Sequence, residues 1–345
     1  MAFILQNYSK INMKNKTSNE LFVLNFVQRV SAPQTHAKRL ATLRKMMQNC
    51  PNDLTMIQWM QLWRGFYYIV WYEEMRKGGE ELIIEMGSSD NGSFLMSGFK
   101  ALAESWNSID AFRIDKYMFL IRIMLRNCLQ KQIQTVHNNN EQQKLFEHEI
   151  FLKNYRQSIV NQHRTFEIKA DVIDYIISVT SQSIGLFLHI CDIYLEELKL
   201  IVDEKIDEAA RPQIYYELLL PFIQWLALIN DDRLLKSMCD NIFNHLAKQT
   251  LLNESFIVRR IILKKMYETI LNMNGFYSCT TPRNNDYRVK ILDHYKQKLD
   301  EFDGKTRNKT KRKVVIGLCR KTKRTKYETV TNTPFVRSIV PLPMM

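Results

Sequence analysis

The apolar residues of this chain recur at three- and four-residue spacing, and short polar, glycine- or proline-containing segments interrupt the pattern. The clearest periodic stretch runs from Trp59 to Val70 after Asp53, a good helix N-cap, and should end near Gly78-Gly79. No stretch alternates with a period of two for long enough to predict a β-strand. The pattern predicts helices at about 20–30, 34–49, 53–78, 94–106, 110–131, 141–163, 170–180, 184–202, 212–229, 232–249, 254–272 and 286–301.

The short breaks between successive helices indicate that neighbouring helices pack antiparallel. Helix pairs of this kind stack side by side in α-solenoids. We therefore predict an all-α fold, an irregular HEAT-like α-solenoid built from antiparallel helix pairs. No repeat is visible in the sequence, so an irregular helical domain remains the alternative.

The predicted helix at 110–131 supports the stacked arrangement. One apolar stripe along it consists of Ile114, Tyr117, Ile121, Met124 and Cys128. The far side of the same helix carries Phe112, Phe119 and Ile123, and only a narrow polar strip remains at Asp115, Arg122 and Arg126. A helix that is apolar nearly all round is buried on two sides, which is typical of an inner helix in a stack.

Pro221 lies inside the apolar run 218–229. A proline in a helix interior costs about 3 kcal/mol, because it removes one backbone hydrogen bond and clashes with the preceding turn. The sequence leaves two alternatives: a helix begins at Pro221, or a helix kinks there to follow a curved stack.

The positive charge of the chain is concentrated at its C-terminal end. The net charge is +13, and residues 304–345 supply +11 of it from twelve basic residues and one acid, Glu328. Such a segment has little apolar surface to bury, so we predict that it is disordered until it meets an anionic surface. The cations expected to bind nucleic acid or a nuclear import receptor are Lys305, Arg307, Lys309, Lys311, Arg312, Lys313, Arg320, Lys321, Lys323, Arg324 and Lys326.

The cysteines and the hydropathy pattern indicate an intracellular, soluble protein. The six cysteines, at positions 50, 128, 191, 239, 279 and 319, are scattered singly and form no C-x-x-C pair. We interpret them as small buried hydrophobic residues in a reducing compartment. The N-terminus lacks the charged region of a secretory signal, and no stretch supplies the ~20 mostly apolar residues that a bilayer span needs.

The sequence contains no common nucleotide-binding or catalytic motif, since GxGxxG, GxxxxGK[ST], GxSxG and HExxH are all absent. The best polar cluster is His189, Asp192 and Glu196, which share one helix face. A metal site on helices needs further ligands from other helices, and no second cluster supplies them. We therefore predict no catalytic residue, no metal and no cofactor, and interpret the cluster as a solvated or locally paired face.

Aromatic residues are dense on one predicted helix, at Trp59, Trp63, Phe66, Tyr67, Tyr68, Trp71 and Tyr72. An RNA-stacking platform needs exposed rings with interleaved cations, and here only Arg64 interrupts the run. The helical spacing favours core packing, with Gly65 allowing a close helix approach. Tyr67, Tyr68 and Tyr72 remain candidates for a protein interface, where tyrosine is enriched.

Three blocks of sequence carry a family resemblance: LWRGFYYIVW at 62–71, WNSIDAFRIDKY at 106–117 and GLFLHICDIYLEEL at 185–198. In this order they resemble the signature blocks of the ribosomal RNA processing protein 1 family, the nucleolar fifty-two-kilodalton antigen family. The resemblance implies a nucleolar, non-nuclease assembly factor that is needed when precursor rRNA is processed at its internal spacers. The signature residues are Trp63, Gly65, Trp71, Trp106, Ile109, Asp110, Arg113, Asp115, Lys116, Gly185, His189 and Asp192.

The second block also has a physical interpretation. Asp110 can cap the helix predicted to begin there, while Trp106 and Ile109 pin the preceding turn against a neighbouring helix. Arg113 and Lys116 lie on the flank and are candidates to meet rRNA phosphate or an acidic partner. Local pairs such as Asp110–Arg113 are the structural alternative.

We therefore predict a flexible N-terminal segment at 1–19, a helical scaffold domain at 20–303 and a disordered basic tail at 304–345. The expected function is a non-enzymatic nucleolar scaffold in pre-rRNA processing and large-subunit assembly. Its expected partners are precursor rRNA, other large-subunit assembly proteins and an import receptor, with no membrane and no small-molecule substrate. One alternative is an RNA-processing nuclease, which needs clustered carboxylates for two metals. Another is a helical adaptor outside ribosome assembly, whose tail is a nuclear localisation signal or a membrane-surface anchor.

Overall fold

The computed structural model describes residues 17–304 apart from 33–34, 52, 76–77, 139–170, 249–253 and 273–280. Within these residues all regular structure is helical and no strand occurs, which confirms the all-α prediction. The helices are α1 (Ser18–Ser31), α2 (His36–Gln48), α3 (Met56–Tyr72), α4 (Gly79–Gly87), α5 (Gly92–Ser105), α6 (Ile114–Asn138), α7 (Asp171–Thr180), α8 (Ile184–Lys205), α9 (Arg211–Leu228), α10 (Asp232–Met238), α11 (Asn244–Ala247), α12 (Phe256–Leu271) and α13 (Pro282–Phe302). A 3-10 turn at Trp106–Ser108 follows α5, and a π-helical turn at Cys239–Phe243 joins α10 to α11.

Most predicted helices are present with shifted ends, but the predicted helix at 53–78 is wrong at both ends. Its N-cap is Thr55, whose hydroxyl accepts from the backbone N–H of Gln58 at 3.3 Å, and not Asp53. The helix ends at Tyr72, and a separate helix, α4, begins at Gly79 after Gly78 adopts a left-handed φ of 90°. The predicted helix at 141–163 lies outside the described residues.

Most of the helices pack mainly against the next but one along the chain, which arranges them in two rows, while α2 packs mainly against α1 and α13 against α12. One row contains α1, α3, α5, α7, α9 and α12, and the other contains α4, α6, α8, α10 with α11, and α13. Arg44 ties α2 to α4 at the start of the second row, since its guanidinium donates to Glu85 at 2.9 Å and to Glu81 at 2.9 Å. Helix pairs that stack on one another place alternate helices in two rows, so this arrangement agrees with the predicted α-solenoid.

An aromatic cluster forms the core between α1, α3 and α5. The indole of Trp63 stacks on Phe94 with ring centroids 4.7 Å apart and donates to the Phe94 carbonyl at 2.7 Å. Gly98 leaves room for this indole, which a Cβ atom at that position would overlap. Gly65 permits the predicted close approach, because a Cβ there would lie 2.8 Å from a ring carbon of Phe26 on α1.

The inner position predicted for the helix at 110–131 holds for α6, which packs against α4 on one side and α8 on the other. Tyr117, Ile121, Met124 and Cys128 are all fully buried. The prediction for Phe112 is wrong, because this residue precedes α6 and its side chain is 95% exposed.

Buried and half-buried side chains from one helix bind carbonyls at or just after the C-terminal ends of others, where the last carbonyls have no partner within their own helix. The hydrogen-bonded sets are Lys116 with the end of α3, Asn127 and Lys131 with the residues after α4, Arg211 with the end of α8, Asn284 with the end of α9 and Arg288 with the end of α12. Four of these side chains are cationic, which also suits the negative end of the helix dipole. The stack is therefore held by polar anchors as well as by apolar packing.

Pro221 lies in the interior of α9, so the alternative in which a helix begins at this residue is wrong. The hydroxyl of Tyr194 on α8 donates to the carbonyl of Leu218 at 2.7 Å, in the turn that precedes the proline. Packing against α8 thus supports the part of α9 where the proline weakens the regular hydrogen bonding.

Cys128, Cys191 and Cys239 are buried free thiols, as predicted, and Cys50 is partly buried. Burial raises the pKa of Cys128 to about 12, so this thiol is not a reactive thiolate. None of the described helices combines the length and the apolarity that crossing a membrane requires.

Candidate interaction surface

The end of α3 and the loop before α6 together expose a group of aromatic side chains. We call this surface the aromatic edge and define it by Tyr68, Trp71, Tyr72, Phe112 and Arg113. Tyr68 and Tyr72 stack with centroids 6.4 Å apart, and the Arg113 guanidinium lies 4.2 Å from the centroid of the Trp71 ring. Aromatic residues and arginine are the side chains that contribute most to protein–protein binding.

The two outermost rings of the aromatic edge are open to solvent. Phe112 is 95% exposed and Tyr72 is 56% exposed. Phe112 also lines a cleft of about 520 Å³ with Met75 and Glu74. These exposed rings offer apolar area to a partner, and they can contact it without leaving the protein core.

A turn at Asp110 places Phe112 on this surface. The Asp110 carboxylate accepts from the backbone N–H of Phe112 at 3.0 Å and pairs with Arg113. Asp110 accepts backbone N–H bonds as predicted, but it caps the turn at 111–113, and α6 begins only at Ile114. The Asp110–Arg113 pair, the structural alternative, is present. The preference of aspartate for turns was the available signal, and it delays the helix long enough to turn Phe112 outward.

Lys116 is buried, and its ammonium binds backbone. It donates to the carbonyls of Val70, Trp71 and Glu73 at 2.7, 3.0 and 2.8 Å. Burial lowers the pKa of Lys116, and the neighbouring charge of Arg113 lowers it further. Because all three of its N–H donors point at the end of α3, Lys116 supports the aromatic edge from below and is not placed to meet a phosphate.

A buried carboxylate sets the position of the chain just after α3. The side chain of Glu73 is 2% exposed, pairs with Arg39, and lies 2.7 Å from Nδ1 of His36. Both partners of Glu73 lie on α2, so these contacts end α3 just before Glu73. The sequence gives no sign of the pairing, since the residues are 34 and 37 positions apart.

The second and third sequence blocks meet at Trp106. Its indole lies parallel to the ring of His189 with centroids 6.4 Å apart, and a Cβ at Gly185 would lie 2.7 Å from its Nε1. His189 Nε2 is 3.1 Å from the Met118 carbonyl, and burial lowers the pKa of the imidazole. The neutral imidazole of His189 on α8 therefore donates a hydrogen bond to the Met118 carbonyl on α6, and this bond holds the two helices together. Ile109 packs at the margin of the same core.

The cluster of His189, Asp192 and Glu196 does not converge on one point. His189 turns to the Met118 carbonyl, Asp192 binds the side-chain amide of Asn241, and Glu196 lies 3.2 Å from Arg122. Within the described residues, no three His, Cys, Asp or Glu side chains are grouped as a metal site requires. The local pairing predicted for this face is what the structure contains.

An ion network joins α6 to α8 beside that face. Glu197 is fully buried, with Arg126 at 2.6 Å and Arg122 at 3.2 Å. The two arginines share one strip of α6, as predicted, while Asp115 lies exposed near the aromatic edge. Removing one partner of a buried ion pair leaves an uncompensated charge and strongly destabilises the fold. The network of Glu197 with the two arginines is therefore structural.

The aromatic run predicted as core divides into two parts. Trp59, Trp63 and Phe66 are buried in the cluster between α1, α3 and α5, and Tyr67 is also buried. Tyr68 and Trp71 are half-buried, and Tyr72 is exposed. Of the three tyrosines predicted as interface candidates, Tyr68 and Tyr72 are therefore accessible and Tyr67 is not. The tail cations from Lys305 onward lie outside the described residues.

Comparison with known proteins relates the described helices, from within α1 onward, to one family. The family model described as "Nucleolar protein,Nop52" matches residues 24–332. A ribosomal RNA processing protein 1 homolog from Dictyostelium discoideum is 27% identical over 221 residues, which are 62% of this chain and 43% of that protein. The Drosophila melanogaster homolog is 23% identical over 216 residues, 60% of this chain and 28% of that protein. Homolog B from Mus musculus is 23% identical over 207 residues, 55% of this chain and 24% of its own length. The aligned part thus covers less than half of each of these relatives.

Proposed function

The chain belongs to the Nop52 family of nucleolar proteins, and from this premise we propose that it is a non-enzymatic scaffold in pre-rRNA processing. The particle on which it acts is the precursor of the large ribosomal subunit, and its place of action is the nucleolus. The observation that carries the proposal is the family match across 24–332, which includes all the described helices from α2 onward. The relatives' names refer to ribosomal RNA processing.

The helical body and the tail have separate tasks in this proposal. The aromatic edge binds another large-subunit assembly protein, because its exposed rings are apolar and its charges are mixed. Arg113 is accompanied there by Asp110 and Asp115, and this balance disfavours a polyanion. The tail supplies the contacts to precursor rRNA and the signal for nuclear import. A scaffold that holds these partners together needs no catalytic residue.

Crosslinking in living cells tests the assignment to precursor rRNA. The full chain is crosslinked to RNA, and the bound fragments are sequenced and mapped. We expect the reads to accumulate on the large-subunit part of precursor rRNA and on its internal spacers. Reads spread over messenger RNA, with no enrichment on the precursor, would contradict the proposal.

The salt dependence of RNA binding tests the task of the tail. Each phosphate contact on a single strand lowers log K by about 0.7 per unit of log salt concentration, so about ten contacts give a slope near −7. We expect deletion of 304–345 to flatten this slope and to weaken nucleolar retention. The control replaces every tail lysine with arginine, which keeps the charge and should keep the slope. An unchanged slope in the truncated protein would assign RNA binding to the body.

A further inference from the structure

A groove of about 680 Å³ lies between α1 and α2, at the opposite end of the chain from the basic tail. Its floor is apolar and includes Phe26 and Met46, which are buried, and Phe22, which is half-buried. Its sides carry the exposed side chains of Arg29, Lys38 and Lys45. Among the residues that the structure describes, no acidic side chain lines the groove.

The shape and the charge of this groove suit an amphipathic helix. Ala41 is exposed beside the groove on α2, so a partner backbone meets only a methyl group at that point. Helices that bind in grooves place an apolar stripe on the floor and their polar flanks at the rims. The exposed ammonium groups of Lys38 and Lys45, with no acid among the described lining residues, favour flanks that are negative.

A nucleic acid fits the groove less well. Bases stack on exposed rings, and here Phe26 is buried and Phe22 is half-buried. The floor therefore offers only one partly exposed ring for base stacking, which is less than a stacking platform needs.

We propose that this groove binds an acidic amphipathic helix of a partner protein. The apolar residues of that helix pack over Phe22 and Met46, and its carboxylates lie near Lys38 and Lys45. The proposal goes beyond the nucleolar assignment and does not depend on it, because it follows from the groove alone.

The test uses the full chain and a fluorescein-labelled synthetic helix with leucine at positions i, i+4 and i+7 and glutamate on both flanks. Binding is measured by fluorescence anisotropy. We expect the double variant Lys38→Glu, Lys45→Glu to bind at least about tenfold more weakly, since two attractive charges become repulsive. The variant Ala41→Trp, which fills the groove without a change of charge, should weaken binding to a similar extent.

A matched control separates the groove from the overall charge. Lys236→Glu with Lys296→Glu makes the same change of charge on α10 and α13, and should leave the affinity within about twofold. The same peptide with lysine in place of glutamate should not bind. Unfolding midpoints equal to that of the unchanged protein would show that the groove variants fold.

Four results would overturn the proposal. The first is no binding to the unchanged protein at about 1 mM peptide. The second is an equal loss of peptide affinity in the groove variants and in the control variant. The third is a groove variant that no longer binds a single-stranded RNA oligonucleotide but binds the peptide with unchanged affinity. That result would make the groove a nucleic-acid surface. The fourth is a gain in peptide affinity on deletion of 1–16, which would make that segment the natural occupant.

Discussion

The ammonium of Lys116 donates to three carbonyls at the end of α3. This family-signature residue therefore has a structural role. The sequence places Lys116 on a flank, where a cation is as compatible with phosphate as with backbone. Only the position of α3 decides between them, because Val70 and Lys116 are 46 residues apart. Gly65 was easier to predict, since a glycine beside large aromatic residues has few other uses in a helix.

Replacing Lys116 tests its anchoring role. Lys116→Met keeps the length of the side chain but leaves three buried carbonyls without a donor. We expect the free energy of unfolding to fall by about 2–3 kcal/mol, as for hydrogen bonds to a charged group. Chemical denaturation measures the change. Lys236→Met, at an exposed position of α10, is the control and should change it by less than about 0.5 kcal/mol. Equal effects in the two variants would refute the anchoring role.

His189 should make the stability depend on pH. Burial lowers the pKa of His189 in the folded protein, so the unfolded chain takes up a proton first, near pH 6.5. The stabilisation is therefore complete above about pH 6.5 and is lost as the pH falls below it. We expect the thermal midpoint to decrease between about pH 7.5 and pH 5, and to decrease less in His189→Gln, whose amide can still donate to Met118.

A second histidine must be separated from this effect. Burial also lowers the pKa of His294, so it contributes in the same direction. The variant His294→Gln measures the contribution of His294 to the pH dependence of the thermal midpoint. The variant with both substitutions should show the smallest change of the midpoint with pH. If the pH profile of His189→Gln parallels that of the unchanged protein, His189 is not a source of the pH dependence.

At the scale of elements, the sequence predicts that helices exist and which faces are apolar, but not where α3 ends. Periodicity continues past Tyr72, and the break follows instead from the pairing of Glu73 with His36 and Arg39 on α2. The same limit applies to α6, where the turn at Asp110 moves the start to Ile114. Those two ends create the aromatic edge, so the candidate site depends on the least predictable parts of the helices.

Phe112 and Phe94 should respond very differently to truncation. Phe112 is 95% exposed, whereas Phe94 is 2% exposed and stacks on Trp63. We expect Phe112→Ala to change the free energy of unfolding by less than about 0.5 kcal/mol and Phe94→Ala to lower it by about 3–5 kcal/mol. Denaturant titration of both variants decides the matter. A large loss in Phe112→Ala would mean that this ring is part of the folded core.

At the scale of the whole molecule, segment lengths and apolar stripes are enough to predict a stack of helix pairs without any visible repeat. Short connections predict two rows of alternating helices, and two-sided apolar helices such as α6 must lie between others. What the sequence does not provide is the identity of the surfaces left open, because every stripe shows the same periodicity whether or not a neighbour covers it. The aromatic edge and the groove between α1 and α2 emerge only once the rows are assembled.

If the helical body acts by docking through the aromatic edge, removal of its exposed rings should impair assembly in cells. Cells depleted of the protein receive the full chain with Phe112→Ala and Tyr72→Ala, or with the exposed-residue control Ile257→Ala. Gradient sedimentation and spacer-specific hybridisation follow large-subunit precursors and their rRNA. We expect the double variant to fold, to leave the precursor particle and to let spacer-containing rRNA accumulate, while the control restores processing. Full rescue by the double variant, still bound to the particle, would show that the body does not act by docking through the aromatic edge.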